Sequence, residues 1–357
     1  MRKKIILTGG GTAGHVTPNL ALIEKLKRNG WQIEYVGSKT RIEKNMIAAV
    51  NIAFHSVSTG KLRRYFSWQN FIDPFKIMFG IIQAWYLLLR LKPDVVFSKG
   101  GFVAFPVVVG AWLNGIPVVV HESDMTPGLA NKISFPFASK ICLTFAPAQK
   151  HFKKTQKVAV TGTPIRDALF NGSQEKGLAL CGFNKQKPCL LVIGGSQGAN
   201  ALNSCIRQAL EKLCRCFQVI HLCGRGKIDK ALQEKKGYYQ LEYATDELAD
   251  LFAAAAVVVS RSGANALYEI LALEKPHVLI PLPLAVSRGD QVQNARYFQE
   301  AGISLVINEA QLTPELLLDT LDQALETQDE VIAKIKKRHI HSATDQIISI
   351  IEDIAKA

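Results

Sequence analysis

One local pattern, used three times, constrains this chain more than any other. A short apolar run ends in a glycine-rich turn, and the turn opens a helical pattern. The turns read Thr8-Gly9-Gly10-Gly11-Thr12-Ala13-Gly14-His15, Gly194-Gly195-Ser196-Gln197-Gly198-Ala199 and Ser260-Arg261-Ser262-Gly263-Ala264-Asn265. Each follows directly on a β-rich run, at 4–8, 189–193 and 257–259. Amides at a helix start bind anions, and glycine lets a ligand approach the backbone closely. In open α/β sheets the ligand crevice lies at these strand ends. Three such turns predict a phosphate-bearing ligand.

The rest of the chain supports a sheet built for such turns. β-rich runs at 4–8, 33–36, 95–97, 118–121, 140–143 and 158–161 alternate with helical patterns, and so do those at 189–193, 218–222, 257–260, 277–280 and 305–307. Several are continuous Val/Ile/Leu runs, as expected of strands covered on both faces of a parallel sheet. Helical patterns such as 18–29 and 264–273 lie between them. The expected class is α/β with two doubly wound, Rossmann-like domains. A length of 357 residues also suits two domains, because single cores rarely grow past about 250–300 residues. The Gly- and Pro-rich stretch 162–188 predicts a boundary, giving domains 1–163 and 164–340. The amphipathic segment 326–357 is expected to be helical. Its end, about 340–357, is a candidate to pack back on the first domain.

The formal net charge of +13 predicts an anionic partner. No recognition helix, zinc finger or RNA-binding pattern points to nucleic acid. Lys132, Lys140, Lys150, Lys153, Lys154, Lys157 and Arg166 lie in a stretch free of acids between Asp124 and Asp167. A second basic segment, about 60–92, interleaves Lys61, Arg63, Arg64, Lys76, Arg90 and Lys92 with Phe66, Trp68, Phe71, Phe75, Phe79, Trp85 and Tyr86. That composition fits a segment lying in an anionic headgroup layer, and it equally fits a helix packed on a sheet with a solvated edge. Its apolar run, 77–89, is too short to span a bilayer, which needs about 20 residues. The seven cysteines, odd in number and clustered, read as reduced thiols rather than a disulfide framework. The apolar run after Arg2-Lys3-Lys4 reads as a first strand rather than a secretion signal.

Several patterns point elsewhere. Gly9-x-Gly11-x-x-Gly14 matches a dinucleotide fingerprint, but Glu34 lies inside the second strand rather than at its end, which disfavours NAD. Lys39 and Arg41 keep an NADP oxidoreductase open. Gly194-x-Ser196-x-Gly198 matches a hydrolase nucleophile elbow, with Asp246, Asp290, His277 and His339 downstream. Cys214, Cys216, His221 and Cys223 lack the spacing of a common zinc finger, His221 and Cys223 fall on an apolar strand, and the cysteines read as buried thiols. His339 and His341, two apart on an expected helix, point to different faces. Glu269 could accept both hydroxyls of a ribose or complement its helix dipole. Arg166 is a candidate diphosphate clamp at the domain hinge, or a surface arginine. His15 is a candidate general base. The run His121-Glu122-Ser123-Asp124 is expected to place four polar groups at a sheet edge.

Seven motifs occur in order: Gly-Gly-Gly-Thr-Ala-Gly-His at 9–15, Ser-Lys-Gly-Gly-Phe at 98–102, His-Glu-Ser-Asp at 121–124, Gly-Thr-Pro-Ile-Arg at 162–166, Gly-Gly-Ser-Gln-Gly-Ala at 194–199, Arg-Ser-Gly-Ala at 261–264 and Arg-Gly-Asp-Gln-Val-Gln-Asn-Ala at 288–295. Together they resemble the bacterial lipid-intermediate N-acetylglucosaminyltransferases of peptidoglycan synthesis, over nearly the whole chain. The resemblance implies a GT-B glycosyltransferase with two domains facing a cleft. It implies inverting, metal-independent transfer of N-acetylglucosamine from UDP-N-acetylglucosamine to the 4-hydroxyl of undecaprenyl-diphosphoryl-N-acetylmuramoyl-pentapeptide, with no cofactor. Ser196 and the segment from Arg261 through Ala264, Asn265, Ala266 and Leu267 to Glu269 would hold the nucleotide, with Glu269 on the ribose. Gln291 would meet the donor sugar and Arg166 the diphosphate. Thr12, Ala13 and Gly14 would face the reacting sugars. His15 is the first candidate base and Asp124 the second. The segment 60–92 would dock peripherally on the cytoplasmic face of the inner membrane, near other cell-wall synthesis proteins. A non-catalytic nucleotide-sugar sensor at the membrane is the alternative of another class. Ala13 stands where many relatives carry glycine and Thr163 where many carry asparagine. Asp124 and Asp290 stand where some carry amides.

Overall fold

The computed structural model describes residues 3–39, 41–60, 69–153, 155–195 and 197–356. Ser196, Lys154 and the stretch 61–68 with Lys61, Arg63, Arg64, Phe66 and Trp68 lie outside the described residues, as do the side chains at 13, 41, 42, 69–72 and 155.

The chain divides into two compact units, 1–166 with 342–357, and 167–341. The first unit holds β1 (Lys4–Thr8), α1 (Thr17–Arg28), β2 (Gln32–Gly37), α2 (Arg41–Ala48), β3 (Ala53–Ser56), α3 (Gln69–Leu91), β4 (Val95–Ser98), α4 (Ala104–Leu113), β5 (Val118–Glu122), α5 (Leu129–Ser134), β6 (Lys140–Leu143) and β7 (Val158–Val160). The second holds α6 (Gln174–Cys181), β8 (Cys189–Ile193), α7 (Asn200–Cys216), β9 (Gln218–Leu222), β10 (Tyr238–Leu241), α8 (Leu248–Ala254), β11 (Ala255–Ser260), α9 (Ala264–Ala272), β12 (His277–Leu279), α10 (Asp290–Glu300), β13 (Leu305–Val306), α11 (Pro314–Glu326) and α12 (Gln328–Lys337). The chain ends in α13 (Thr344–Ile354), which belongs to the first unit.

Each unit is one parallel sheet, ordered β3-β2-β1-β4-β5-β6-β7 in the first and β10-β9-β8-β11-β12-β13 in the second. The central strands are apolar on both faces because helices cover both. Ile5, Leu7, Val95, Phe97 and Val119 are fully buried in one unit, and Leu190, Val192, Val257 and Val259 in the other. Strand order reverses between β1 and β4, and again between β8 and β11. At such a reversal the connections leave in opposite directions and open a crevice at the carboxyl ends. Two of the three glycine turns follow β8 and β11, and the other follows β1.

The first segment of the first unit runs to Arg166. Ile165 is buried, its N–H donates to Ser342 Oγ at 3.1 Å, and Ser342 Oγ donates back to Ile165 O at 2.9 Å. That pair brings the chain back to α13, whose Ile347, Ile348 and Ile351 join the core beside Leu22, Ile23 and Leu26 of α1. His339 and His341 correct the helical expectation. α12 stops at Lys337, His339 takes a positive φ of 47°, and the two rings lie 6.3 Å apart instead of on different faces.

The apolar run at 77–89 is also longer than expected. It is part of the 23-residue α3, in which Asp73–Leu91 is long and apolar enough to cross a membrane by length and composition. The helix is seated on the first unit by a four-residue stripe, with Gly80, Ala84 and Leu88 buried. A Cβ at Gly80 would come within 2.0 Å of Ser58 O, so the close approach requires glycine. The opposite face exposes Phe75, Met78, Phe79, Ile82, Trp85, Tyr86 and Leu89.

Candidate active site

In the first unit the β1 and β4 turns meet at the sheet's reversal point. Gly10 N–H points to Gly100 O at 3.4 Å. Gly101, at φ 84°, is packed so closely that a Cβ would sit 2.3 Å from Gly10 O. Gly9 O accepts from Tyr35 Oη at 2.6 Å, and Asn19 Nδ2 reaches Thr8 O and Tyr35 Oη. The turn is therefore pinned from below by a buried polar network. One amide of the turn is engaged within the first unit. Gly11 N–H donates to Glu43 Oε1 at 2.6 Å, while Glu43 Oε2 accepts from Ser38 N–H and Ser38 Oγ at 2.8 and 3.0 Å. A buried carboxylate thus holds the Gly11 amide.

The tip of the turn stays accessible. Thr12 and Gly14 are exposed, Ala13 begins a 3₁₀ turn ending at His15, and His15 is half-buried. His15 Nδ1 lies 3.0 Å from Thr12 Oγ1. If Nδ1–H donates to that hydroxyl, Nε2 carries the lone pair that can take a proton.

The run 121–124 does not place four groups alike. His121 and Glu122 are buried in β5, and only Ser123 and Asp124 reach the half-buried layer. Glu122 accepts from Asp124 N–H, Gly128 N–H and Asn131 Nδ2 at 3.0, 3.1 and 2.8 Å. Its role is to shape the turn that carries Asp124. Burial pushes its carboxyl up from the usual range, against those three donors.

In the second unit the β8 and β11 turns meet in the same way, with Arg261 N–H 3.3 Å from Ile193 O. Gly195, at φ 83°, leaves open space where a Cβ would be. α9 starts after Gly263 with no side-chain cap bond, so side chains do not close its helix start. Ser262 Oγ donates to Gln291 O at 2.8 Å, and Asn294 Nδ2 donates to Ser262 O at 3.2 Å. Gln291 Oε1 is held by Leu282 N–H at 3.0 Å, and its Nε2 lies 3.8 Å from a Cβ placed on Gly263. The first turn of α10 is thus fixed beside the start of α9. Glu269 is half-buried farther along α9.

Two residues of the expected nucleotide segment have their polar groups engaged within the second unit. Arg261 turns its guanidinium inward, donating to Ile280 O and Pro281 O at 3.0 and 3.3 Å and pairing with Glu309. Leu267 is fully buried and its N–H is spent on Gly263 O at 3.0 Å. Arg166 Nε is buried with no hydrogen-bond partner among the described residues. Buried donors ordinarily find a partner, so this one is suited to a ligand.

The competing patterns find ordinary partners. Glu34 binds His55 at 2.6 Å and Lys4 at 3.4 Å. His221 is buried between Tyr238 Oη at 2.8 Å and Asn203 Oδ1 at 3.0 Å. His277 is buried between Lys275 O and Ser304 Oγ. Burial draws both rings far below their ordinary range, to about 3 and about 4.

Comparison with known proteins now decides the family. Residues 5–143 match the glycosyltransferase family 28 N-terminal domain, and 189–350 match the family 28 C-terminal domain. The chain belongs to glycosyltransferase family 28. One family member, from Legionella pneumophila strain Lens, is 62% identical over 99% of this chain and 98% of its own length. Its name is UDP-N-acetylglucosamine--N-acetylmuramyl-(pentapeptide) pyrophosphoryl-undecaprenol N-acetylglucosamine transferase. A protein of the same name from Geobacillus thermodenitrificans is 50% identical over the full length of both. The crystal structure of Acinetobacter baumannii MurG superposes with a TM-score of 0.75 at 26% identity, covering 99% of this chain and all of that one. A calicheamicin glycosyltransferase at 16% identity shares the fold, with a TM-score of 0.70 over 99% of this chain and 98% of its own. This family 28 member has the GT-B architecture of two Rossmann-like domains.

Glu43 and Lys99 escape assignment in the sequence. Lys99 sits inside Ser-Lys-Gly-Gly-Phe at 98–102, and a lysine between a buried strand and two glycines is the available signal. Glu43 carries none, because its partner Gly11 is 32 residues away.

Proposed function

We propose that this family 28 enzyme transfers N-acetylglucosamine from UDP-N-acetylglucosamine, with inversion, to the 4-hydroxyl of undecaprenyl-diphosphoryl-N-acetylmuramoyl-pentapeptide. The observation that carries the proposal is end-to-end similarity to transferases of that name. The α9 start, which no side chain caps, supports it.

The donor binds to the second unit. Amides at the α9 start receive the diphosphate, which gains charge as the glycosidic bond breaks. Arg166 supplies a further donor through its unpartnered Nε. Glu269 accepts the ribose hydroxyls, and Gln291 meets the sugar. The acceptor lies at the first unit's glycine turn, where His15 takes its hydroxyl proton as oxygen attacks the anomeric carbon. Asp124 is the alternative base. Loss of one diphosphate donor such as Arg166 should raise the barrier by about 2.7–4 kcal/mol.

The exposed apolar face of α3 lies against the cytoplasmic leaflet of the cell membrane, where the lipid acceptor resides. Lys76 and Arg90 border that face and suit anionic headgroups.

Labelled sugar should pass from UDP-N-acetylglucosamine to the lipid acceptor undiminished by excess EDTA, and His15→Ala should abolish most of the rate. No transfer at all, or strict dependence on a divalent ion, would reject the mechanism. UDP-sugar binding without turnover would favour a sensor.

A further inference from the structure

Lys99 follows β4 and is 1% exposed. A lysine that deep is rare unless it is partnered. Its Nζ lies 2.6 Å from His121 Nδ1 and 2.5 Å from Ser123 Oγ. The other side of His121 fixes which way those bonds run. His121 Nε2 is 2.8 Å from Gly162 O, which can only accept, so Nε2 carries the proton and Nδ1 presents a lone pair. Burial and the charge of Lys99 keep the ring neutral. Lys99 therefore donates to His121 and to Ser123. The titratable groups facing it are His121, Glu122 and Asp124 from β5 and its turn, and Cys142 from β6. On its other flank, a Cβ at Gly9 would meet Lys99 Cβ at 3.1 Å. The side chain thus stands between the β1 glycine turn and the turn that carries Asp124.

Burial pulls the ammonium down to about 7, with Glu122 and Asp124 pulling it back up. A charge held at that cost is a poor choice for packing alone, since an apolar side chain of the same length would fill the space without desolvation.

We propose that Lys99 is a positioning residue for the transfer reaction: clamped by His121 and Ser123, it sets the 123–128 turn so that Asp124 is presented to the acceptor sugar. This rests on the reading that the first unit's carboxyl edge receives the acceptor. Lys99 touches no substrate and acts through Ser123 and Asp124.

The test is a double-mutant cycle on the full chain with UDP-N-acetylglucosamine and a lipid acceptor. Lys99→Met keeps the length of the side chain and removes its charge. It should lower kcat at least about tenfold while leaving KM for UDP-N-acetylglucosamine within about twofold. Ser123→Ala, which leaves the buried lysine in place, should lower kcat about fivefold or more, and the double variant should lose no more than Lys99→Met alone. Binding of UDP and the melting temperature establish that each variant is folded. If Lys99→Met fails to fold, Ser123→Ala and its rescue by Ser123→Thr carry the test. Parental kcat in either folded single variant, or additive losses in the double, overturns the proposal. Asp124→Ala and His15→Ala with parental transfer would instead remove the acceptor-site reading, and this inference with it.

Discussion

At the scale of single residues, the molecule's charges are decided by depth. Unfolded lysine keeps its proton to about 10.4, whereas folded Lys99 releases it near about 7. Between those values the unfolded chain binds the extra proton, so the contribution of Lys99 to stability rises with pH across that window. Buried Cys142, held up to about 12, works oppositely above the ordinary thiol range, since the unfolded thiol ionises first. Comparing the parent with Lys99→Met cancels the cysteine. Urea unfolding of both at about pH 6 and about pH 9 should show the difference moving in the parent's favour at the higher pH. A difference that stays flat would show an ordinary lysine. None of this is written locally in the sequence: a lysine before two glycines reads the same whether buried or solvated. The burial follows from β4 lying mid-sheet, with β1 on one side and β5 on the other.

At the scale of elements, α3 carries two unlike faces along one helix. Gly80, Ala84 and Leu88 recur every fourth residue and seat it on the unit. Ile82 is 56% exposed and lies on the other face. Removing an exposed isoleucine should leave folding nearly intact but forfeit about 1.5–3 kcal/mol of burial in a lipid surface, or roughly tenfold or more in affinity. Ile82→Glu should therefore weaken flotation with anionic vesicles by about that factor. Its melting temperature should stay close to the parent's. Unchanged vesicle binding would take α3 out of the membrane-docking role. The glycine turns show how much of an element's chemistry composition reveals. All three end strands at their carboxyl ends, as the sequence requires. Yet the β1 turn gives an amide to Glu43, while no side chain caps the α9 start. The difference lies in α2, which happens to return a carboxylate to the first turn.

At the scale of the whole molecule, two separate cores carry two sets of functional groups. Ligand binding to one core should register in that core's unfolding. At about 100 times its dissociation constant, UDP should add about 2.7 kcal/mol to the stability of the unit holding α9. Calorimetry with and without UDP would show that transition moving up, and a shift confined to the first unit would place the nucleotide wrongly. The sequence by itself determined the alternation of strand and helix, the glycine turns at strand ends and the ordered motifs of family 28. Those are local properties, set by side-chain periodicity and by the backbone freedom of glycine. Tertiary structure alone decided that Arg261 is spent on Glu309, that His121 and Glu122 face inward, and that Arg166 Nε has no partner among the described residues. It also turned His339 toward His341 and stretched α3 beyond its apolar run. The physical reason is that a polar group chooses its partner from whatever folding brings within about 3 Å. Arg261 and Glu309, 48 residues apart in sequence, meet only after the second sheet has formed.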